Sequence, residues 1–478
     1  MLFNSFVYIL FLPIVFALYW FLRDQYRWIL LLIASYFFYM CSGPQYGLLI
    51  FCVTLVSYLS AIVIEKYSDK KKKKVALIGT VIVCMGVLFF FKYFNFFSGT
   101  ANALMNRMGI KQDPITFNIV LPVGISFYTF QTMSYVIDVY KGTTKAEYHF
   151  GKYAAFVSFF PQLVAGPIER SNNLLPQIRQ NHIFNHDKAM QGVKLMLWGY
   201  YKKLVIADAL AEYVKKVFDS PRDFTGFALV IASLFFTIQI YCDFSGYSDI
   251  AIGTAKLFGI ELMKNFKSPY FSGSVREFWS RWHISLSTWF RDYVYIPLGG
   301  NRVGKIRHYI NLMITFLVSG LWHGANWTFV AWGGIHGLAQ VVESALIGKW
   351  ETQNRLLRVV RTVIVFIFCT FAWIFFVSNS ISDAFYVISN CFDGIKSPLS
   401  YLHDGFANLG FGKDMLVILG SFICIMAVYD YISVKRDFVE WIESKNKVIQ
   451  WLFYIAVGLI LVFFSKKGVA AEFIYFQF

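Results

Sequence analysis

Charged residues are scarce in this chain of 478 amino acids. Asp, Glu, Lys and Arg together make up 15% of it, against roughly 25% in an average soluble protein. Hydrophobic residues make up 57% and aromatic residues 20%, which is more apolar surface than a soluble core can hide. These proportions exclude a soluble enzyme, a disordered chain and a small disulfide-framework protein. They predict an all-α polytopic membrane protein.

The chain also lacks the short motifs of several enzyme classes. Its seven cysteines are scattered and never form a CxxC pair, so neither a disulfide framework nor a metal site is predicted. Walker, GxSxG and HExxH motifs are missing from the sequence. Nucleotide hydrolysis, serine-esterase chemistry and zinc chemistry therefore have no visible machinery.

Acidic residues are fewer than basic residues. The chain has 28 Asp and Glu and 44 Lys and Arg, which gives a formal net charge of +16. In a soluble protein this excess would suggest nucleic-acid binding. In a membrane protein, basic residues collect in cytoplasmic loops and near anionic lipid headgroups. We therefore predict contact with the lipid bilayer and no nucleic-acid partner.

The basic residues alternate between successive loops, which predicts the orientation of the chain. Loop 23–27 carries two arginines, the next loop at 42–44 carries no charge, and residues 70–74 are five lysines. Because Lys and Arg mark cytoplasmic loops, the N-terminus is predicted to be extracytoplasmic. The alternation continues to a final apolar run at 448–464, which places the C-terminus outside too. About 10–12 crossings are expected at the usual span length.

The middle of the chain, residues 95–345, is less regular than its ends. Prolines and many glycines interrupt its apolar runs. Broken helices at membrane depth are stable only where protein or a water-filled cavity satisfies their backbone, so we expect the functional site here. No internal repeat or linker is evident, and residues 1–478 are predicted to form one membrane-embedded domain.

His323 is the strongest candidate for a catalytic residue. It lies in an apolar stretch from Ile310 to Ala345, flanked by Trp322 and Gly324. An ionisable side chain at membrane depth is costly and marks a functional site by default. Burial favours the neutral imidazole, which can accept a proton. The alternative is a structural histidine that donates a hydrogen bond to a neighbouring carbonyl and holds two helices together. This structural interpretation is favoured for His336.

Two further polar islands are candidates with open alternatives. Residues 276–293 place three tryptophans and His283 at helical spacing, which predicts one amphipathic helix. Such a helix would anchor the chain at the membrane interface or carry His283 into a site. The second island, Gln239 to Asp249, includes Asp243 and could bind a cation, coordinate a substrate or cap a helix. A lone HxxxxD match from His182 to Asp187 is interpreted as an ordinary loop.

Taken together, the polar islands resemble a known family, the membrane-bound O-acyltransferases (MBOAT), and most closely the bacterial alginate O-acetyltransferase (AlgI-like) branch. The matching stretches, in order, are 121–131, 160–168, 243–249, 276–302 and 321–324. They form a motif-bearing core at about residues 120–340. Several long motifs in sequence are a more specific signal than any one of them.

The resemblance implies a helical funnel through a bacterial cell membrane. It implies that His323 is the principal catalytic histidine and His283 the second signature histidine, on the cytoplasmic side. It further implies a cytoplasmic acetyl thioester as donor, acetyl-CoA first among them, with no bound cofactor. A polysaccharide acceptor and an extracytoplasmic SGNH-type partner are also implied. A D-alanyl transferase, which uses a carrier-protein thioester, is the related alternative, and a solute transporter or channel is the alternative of a different class.

The aromatic C-terminal tail, residues 468–478, suggests a relay. Its end is similar to the C-terminal motif of the short companion peptide in the D-alanylation system, which implies that Tyr475 receives the acyl group. The alternative is an interfacial aromatic anchor. In the hypothesis, His323 deprotonates the attacking hydroxyl, and Asn326 or a backbone N–H stabilises the oxyanion. Trp322 and Asp243 are supporting candidates.

Overall fold

The computed structural model describes residues 1–111, 113–346, 354–465 and 473–474. All regular structure within these ranges is helical. The first eleven α-helices, α1 to α11, are Phe6–Phe21, Asp24–Met40, Pro44–Lys66, Lys70–Leu88, Phe94–Arg107, Ile125–Lys141, Phe150–Ser158, Phe160–Leu163, Ser171–Arg179, His186–Tyr200 and Asp208–Phe218. The next eleven, α12 to α22, are Phe227–Leu257, Val275–Arg281, Ile284–Phe290, Lys305–His323, Trp327–Leu346, Arg355–Val377, Ile381–Asn390, Pro398–Leu409, Lys413–Ser433, Phe438–Glu443 and Lys447–Phe464.

Short helical turns of other types join some of these α-helices. Three are π-helical, at Phe89–Tyr93, Tyr201–Ala207 and Arg291–Tyr295. Two are 3₁₀ turns, at Pro221–Asp223 and Pro269–Phe271.

Six helices in the described part of the chain are long and apolar enough to cross a membrane. They are Pro44–Lys66, the stretch Lys70–Arg107, Phe227–Leu257, Arg355–Val377, Lys413–Ser433 and Lys447–Phe464. A shorter apolar helix precedes them at Phe6–Phe21. The predicted all-α polytopic class is confirmed. The predicted count of about 10–12 crossings includes shorter or more polar helices and stays a prediction.

Contacts along the chain define two compact units. The first comprises residues 1–193 and 251–263, and the second comprises residues 194–250 and 264–478. Such units do not test whether the chain folds as one domain, so the single-domain prediction stays a prediction. Every described candidate for the catalytic site lies in the second unit.

Several buried hydroxyl groups in the first unit donate to carbonyls of the helices that carry them. Ser35 and Thr54 each donate to the carbonyl four residues earlier, at 2.6 Å. Between elements, the Tyr8 hydroxyl lies 2.7 Å from the Thr254 hydroxyl in the buried interior. Because an unbonded buried hydroxyl would cost free energy, these contacts allow polar residues inside an apolar unit.

In the second unit, α15 and α16 pack at unusually close range. A Cβ added to Gly320 would lie 2.3 Å from the Phe329 carbonyl oxygen, and one added to Gly333 would lie 2.3 Å from the Phe316 carbonyl oxygen. Only glycine leaves room for this backbone contact. The close packing holds the end of α15 against the beginning of α16, and His323 is the last residue of α15.

Candidate active site

His323 is buried in an aromatic environment at the C-terminal end of α15. Only 3% of its surface is exposed. The centre of its ring lies 5.0 Å from the ring of Trp322, 5.0 Å from Trp332 and 5.5 Å from Phe376. The structure therefore places the predicted catalytic histidine inside protein, with aromatic walls that limit the access of water.

His283 lies at a break between two short helices, and the prediction of one continuous helix over 276–293 is wrong. Helix α13 ends at Arg281 and α14 begins at Ile284. His283 itself has φ 42° and ψ 54°, in the left-handed region. This region is uncommon for residues other than glycine, although histidine is among those enriched there.

A neighbouring extended segment causes the break. The Ile284 N–H donates to the Asn265 carbonyl at 2.9 Å, and the Lys267 N–H donates to the Arg281 carbonyl at 3.0 Å. The Ser285 hydroxyl donates to the Asn265 side-chain oxygen at 2.6 Å. These bonds replace helical hydrogen bonds on both sides of His283, and helical periodicity carries no information about them.

The tryptophans of this region face protein and do not act as the interfacial anchors considered above. Trp282 is fully buried, and Trp279 and Trp289 are at most 9% exposed. Trp282 packs 5.1 Å from Trp373, and Trp279 donates its Nε1–H to His336 Nδ1 at 3.2 Å. The last contact agrees with the structural interpretation of His336.

The structure brings His283 and His323, the histidine pair, close together. Their ring centres are 6.5 Å apart and their planes are inclined by 64°. His283 is fully buried, with the Phe244 ring edge-on at 4.6 Å. His283 lies outside the six candidate spans, and burial lowers its pKa to about 3. Its imidazole is therefore neutral near pH 7, so it can accept or donate a hydrogen bond and carries no charge.

Asp243 forms a buried ion pair in the middle of α12. Its Oδ1 lies 2.5 Å from Lys203 Nζ, and Lys203 also lies 2.9 Å from Asp208 Oδ1. Asp243 Oδ2 accepts a hydrogen bond from the Ile474 N–H at 2.8 Å. Of the three roles considered for this island, a helix cap is excluded for Asp243, because α12 continues for many residues on either side.

Lys203 is the residue that the sequence reasoning missed. It is 4% exposed and lies beside Lys202, which pairs with Asp249 at 2.6 Å. The available signal was the occurrence of two adjacent lysines within the apolar run 195–207. Ionisable residues in such runs usually have a buried partner.

Asn326 is engaged with the backbone around the beginning of α16. Its Nδ2 donates to the Asn379 carbonyl at 3.0 Å, and its Oδ1 accepts from the Thr328 N–H at 3.1 Å. These bonds orient the loop that follows His323. The oxyanion role of Asn326 stays a prediction.

The candidate relay residue, Tyr475, lies outside the described residues. The two residues before it, Phe473 and Ile474, are described and buried. The Phe473 ring lies 5.5 Å from Phe244 and 4.9 Å from Tyr247. Phe244 therefore contacts both the described part of the C-terminal tail and His283.

Comparison with known proteins gives one consistent result. Residues 145–382 match the model of MBOAT, the membrane-bound O-acyltransferase family. The chain is 42% identical over 387 residues to the protein named "probable alginate O-acetylase AlgI" of Pseudomonas syringae pv. tomato, covering 80% of this chain and 74% of the relative. It is 32% identical to the peptidoglycan O-acetyltransferase of Helicobacter pylori, and this match covers 100% of this chain and 98% of the relative.

A third relative belongs to a different acyl-transfer system. The teichoic acid D-alanyltransferase of Streptococcus thermophilus is 32% identical over 248 residues, covering 49% of this chain and 59% of the relative. The similarity is thus shorter on both chains than for the O-acetylating relatives. The described candidates from Asp243 to Asn326 all fall inside the family match, whereas the C-terminal tail follows it.

Proposed function

The chain belongs to the membrane-bound O-acyltransferase family and is an acyltransferase, and from this premise we propose that it O-acetylates a cell-surface or exported polysaccharide. The names of two relatives, an alginate O-acetylase and a peptidoglycan O-acetyltransferase, support both the acetyl group and the polymer class. The resemblance expected from the motifs is confirmed. Acyl transfer thereby replaces solute transport as the interpretation of the polar islands.

The location of the protein in the membrane and the pattern of its charged loops determine where the donor and the partner are proposed to bind. The chain is a multi-pass membrane protein. In the proposal it resides in a bacterial inner membrane with both ends extracytoplasmic, and the donor is a cytoplasmic acetyl thioester such as acetyl-CoA. An extracytoplasmic partner of the SGNH type completes the transfer to the polymer.

The chemical step uses His323 as a general base. The imidazole takes the proton from the attacking hydroxyl as the hydroxyl oxygen bonds to the thioester carbonyl carbon. The C–S bond then breaks, and the proton passes from His323 to the departing thiolate, so the imidazole returns to its neutral form. Base catalysis of this kind contributes about 10²–10⁴-fold. His283, with Arg276 and Arg281, which are near it in the sequence, positions the donor.

The first acceptor in this proposal is the hydroxyl of Tyr475, which passes the acetyl group outward. Burial of the preceding Phe473 against Phe244, the ring that contacts His283, supports this relay. D-alanyl transfer to teichoic acid is the second candidate. The similarity to two teichoic acid D-alanyltransferases supports it, although that similarity covers a shorter part of the chain.

The observation that carries the proposal is the burial of His323 beside His283 within the family match. Its test is acetylation of polymer by cells that express His323→Gln, measured as acetate released by alkali, together with thioester consumption by the purified protein in liposomes. We expect a loss of about 10²–10⁴-fold in thioester consumption. His336→Gln is the matched control, because it changes a buried histidine on the adjacent helix and should retain most of the activity.

Two results would contradict the proposal in different ways. Normal acetylation by folded His323→Gln would remove the general base. Normal acetylation by Tyr475→Phe would remove the relay and leave the rest in place.

A further inference from the structure

Ile474, in the described part of the C-terminal tail, donates its backbone N–H to a buried carboxylate. The Ile474 N–H donates to Asp243 Oδ2 at 2.8 Å, between residues 231 positions apart in the sequence. We propose that the Asp243–Lys203 ion pair is a docking site for the C-terminal tail, which makes Asp243 and Lys203 positioning residues for the relay. The role in the relay rests on the proposed function, whereas the docking itself does not.

The electrostatics of Asp243 favour this role. A carboxylate that is 2% exposed is costly to bury unless both of its oxygens have donors. The Lys203 ammonium pairs with Oδ1, and the Ile474 N–H donates a hydrogen bond to Oδ2. A hydrogen bond from a neutral N–H to an ionised carboxylate is about twice as strong as one between neutral groups. The ion pair therefore holds the tail more firmly than a neutral acceptor would.

The same turn of α12 that carries Asp243 also binds the tail side chain. Phe244 and Tyr247 flank the Phe473 ring, with ring centres 5.5 and 4.9 Å away. Phe473 is 1% exposed. One turn of helix thus supplies both an acceptor for the amide and an aromatic surface for the residue before it.

Phe244 connects the docking site to the histidine pair. The centre of its ring lies 5.5 Å from that of Phe473 and 4.6 Å from that of His283. A residue bonded directly to a docked residue stays within one Cα–Cα step, about 3.8 Å, of it. Fixing Ile474 therefore restricts where the next residue of the chain can present a hydroxyl.

The first test weakens the acceptor of this hydrogen bond in one variant of the full-length protein and removes the donor in another. Asp243→Asn removes the charge of the acceptor, and Ile474→Pro removes the donor while leaving the buried ion pair intact. We expect amide hydrogen exchange in the C-terminal tail, measured by mass spectrometry, to be about tenfold faster or more in both variants. Thioester consumption should fall in parallel.

Matched controls separate docking from general loss of structure. Asp249→Asn changes a half-buried acid of α12 that pairs with Lys202, and Ile474→Val keeps the N–H. Both should leave tail exchange at the wild-type rate. Exchange in α15 and α16 reports whether each variant is folded, and Ile474→Pro covers the case in which Asp243→Asn fails to fold.

The outcomes distinguish the docking site from the proposed function. Tail exchange at the wild-type rate in folded Asp243→Asn and in Ile474→Pro would overturn the docking site. Fast tail exchange in both, together with full activity in Tyr475→Phe, would support docking and refute the relay. Fast exchange together with loss of activity in Tyr475→Phe would support both.

Discussion

Replacing Gly333 with alanine should force α15 and α16 apart and disturb His323. The added Cβ would lie 2.3 Å from the Phe316 carbonyl oxygen and 3.1 Å from Gly320 Cα. Ordinary contact begins near 3.4 Å, so the helices must separate by about 1 Å. Both obstructing atoms belong to the backbone and cannot rotate away.

The magnitude follows from packing and from catalytic geometry. Overpacking of this kind costs about 1–3 kcal/mol of stability. A shift of about 1 Å in a catalytic group can lower the rate by about 10²-fold, and His323 ends the displaced helix. Gly333→Ala should therefore lose about 10²-fold of its thioester-consumption activity and about 1–3 kcal/mol of stability.

The adjacent glycine provides the control. A Cβ added to Gly334 would meet only Leu317 Cδ2, at 3.5 Å, an ordinary contact with a flexible side chain. Because alanine favours a helix over glycine by up to about 1 kcal/mol, Gly334→Ala should be as stable as the wild type or more stable. Thermal unfolding in detergent and thioester consumption measure both effects. Wild-type stability and activity in Gly333→Ala, or equal losses in the two variants, would refute the predicted backbone clash.

Two further predictions concern hydrogen bonding and pH. Trp279→Phe removes the donor to His336 Nδ1 and should lower stability by about 1–3 kcal/mol, so an unchanged unfolding midpoint would contradict the structural role of His336. The Lys188 ammonium, 2.9 Å away, lowers the pKa of the Glu261 carboxyl below its ordinary value of 4.5. The pair therefore stabilises the fold above that value and is lost as the pH falls through the lowered pKa. Lys188→Met should unfold at a lower temperature than the wild type near neutral pH, and the difference should vanish in acid. A difference that persists in acid would count against the ion pair.

Features that depend on local apolar runs could be predicted from the sequence. The final apolar run, predicted at 448–464, corresponds to α22, Lys447–Phe464. His323 stood out because it is ionisable within an apolar stretch, and the structure buries it. These predictions succeeded because hydropathy and burial both follow from residues that are close together in the chain.

Features that depend on distant partners could not be predicted. The break at His283 arises from hydrogen bonds to residues 265–267, and the tryptophan periodicity of 276–293 is the same with or without them. Lys203 and Asp243 are 40 positions apart, and the Ile474 amide meets Asp243 from a distance of 231 positions. A single sequence contains no physical signal for such pairings, although two adjacent lysines in an apolar run indicate that some pairing exists.

The left-handed backbone at His283 determines which substitutions can report on its chemistry. Asparagine and glycine tolerate φ 42°, whereas β-branched residues are severe outliers there. A valine or threonine at this position would disturb the loop as well as remove the imidazole, and the two effects would be confounded. At position 283, the effect of each substitution should therefore be compared with that of His283→Asn. Asparagine tolerates the left-handed backbone, so this variant removes the imidazole without disturbing the loop.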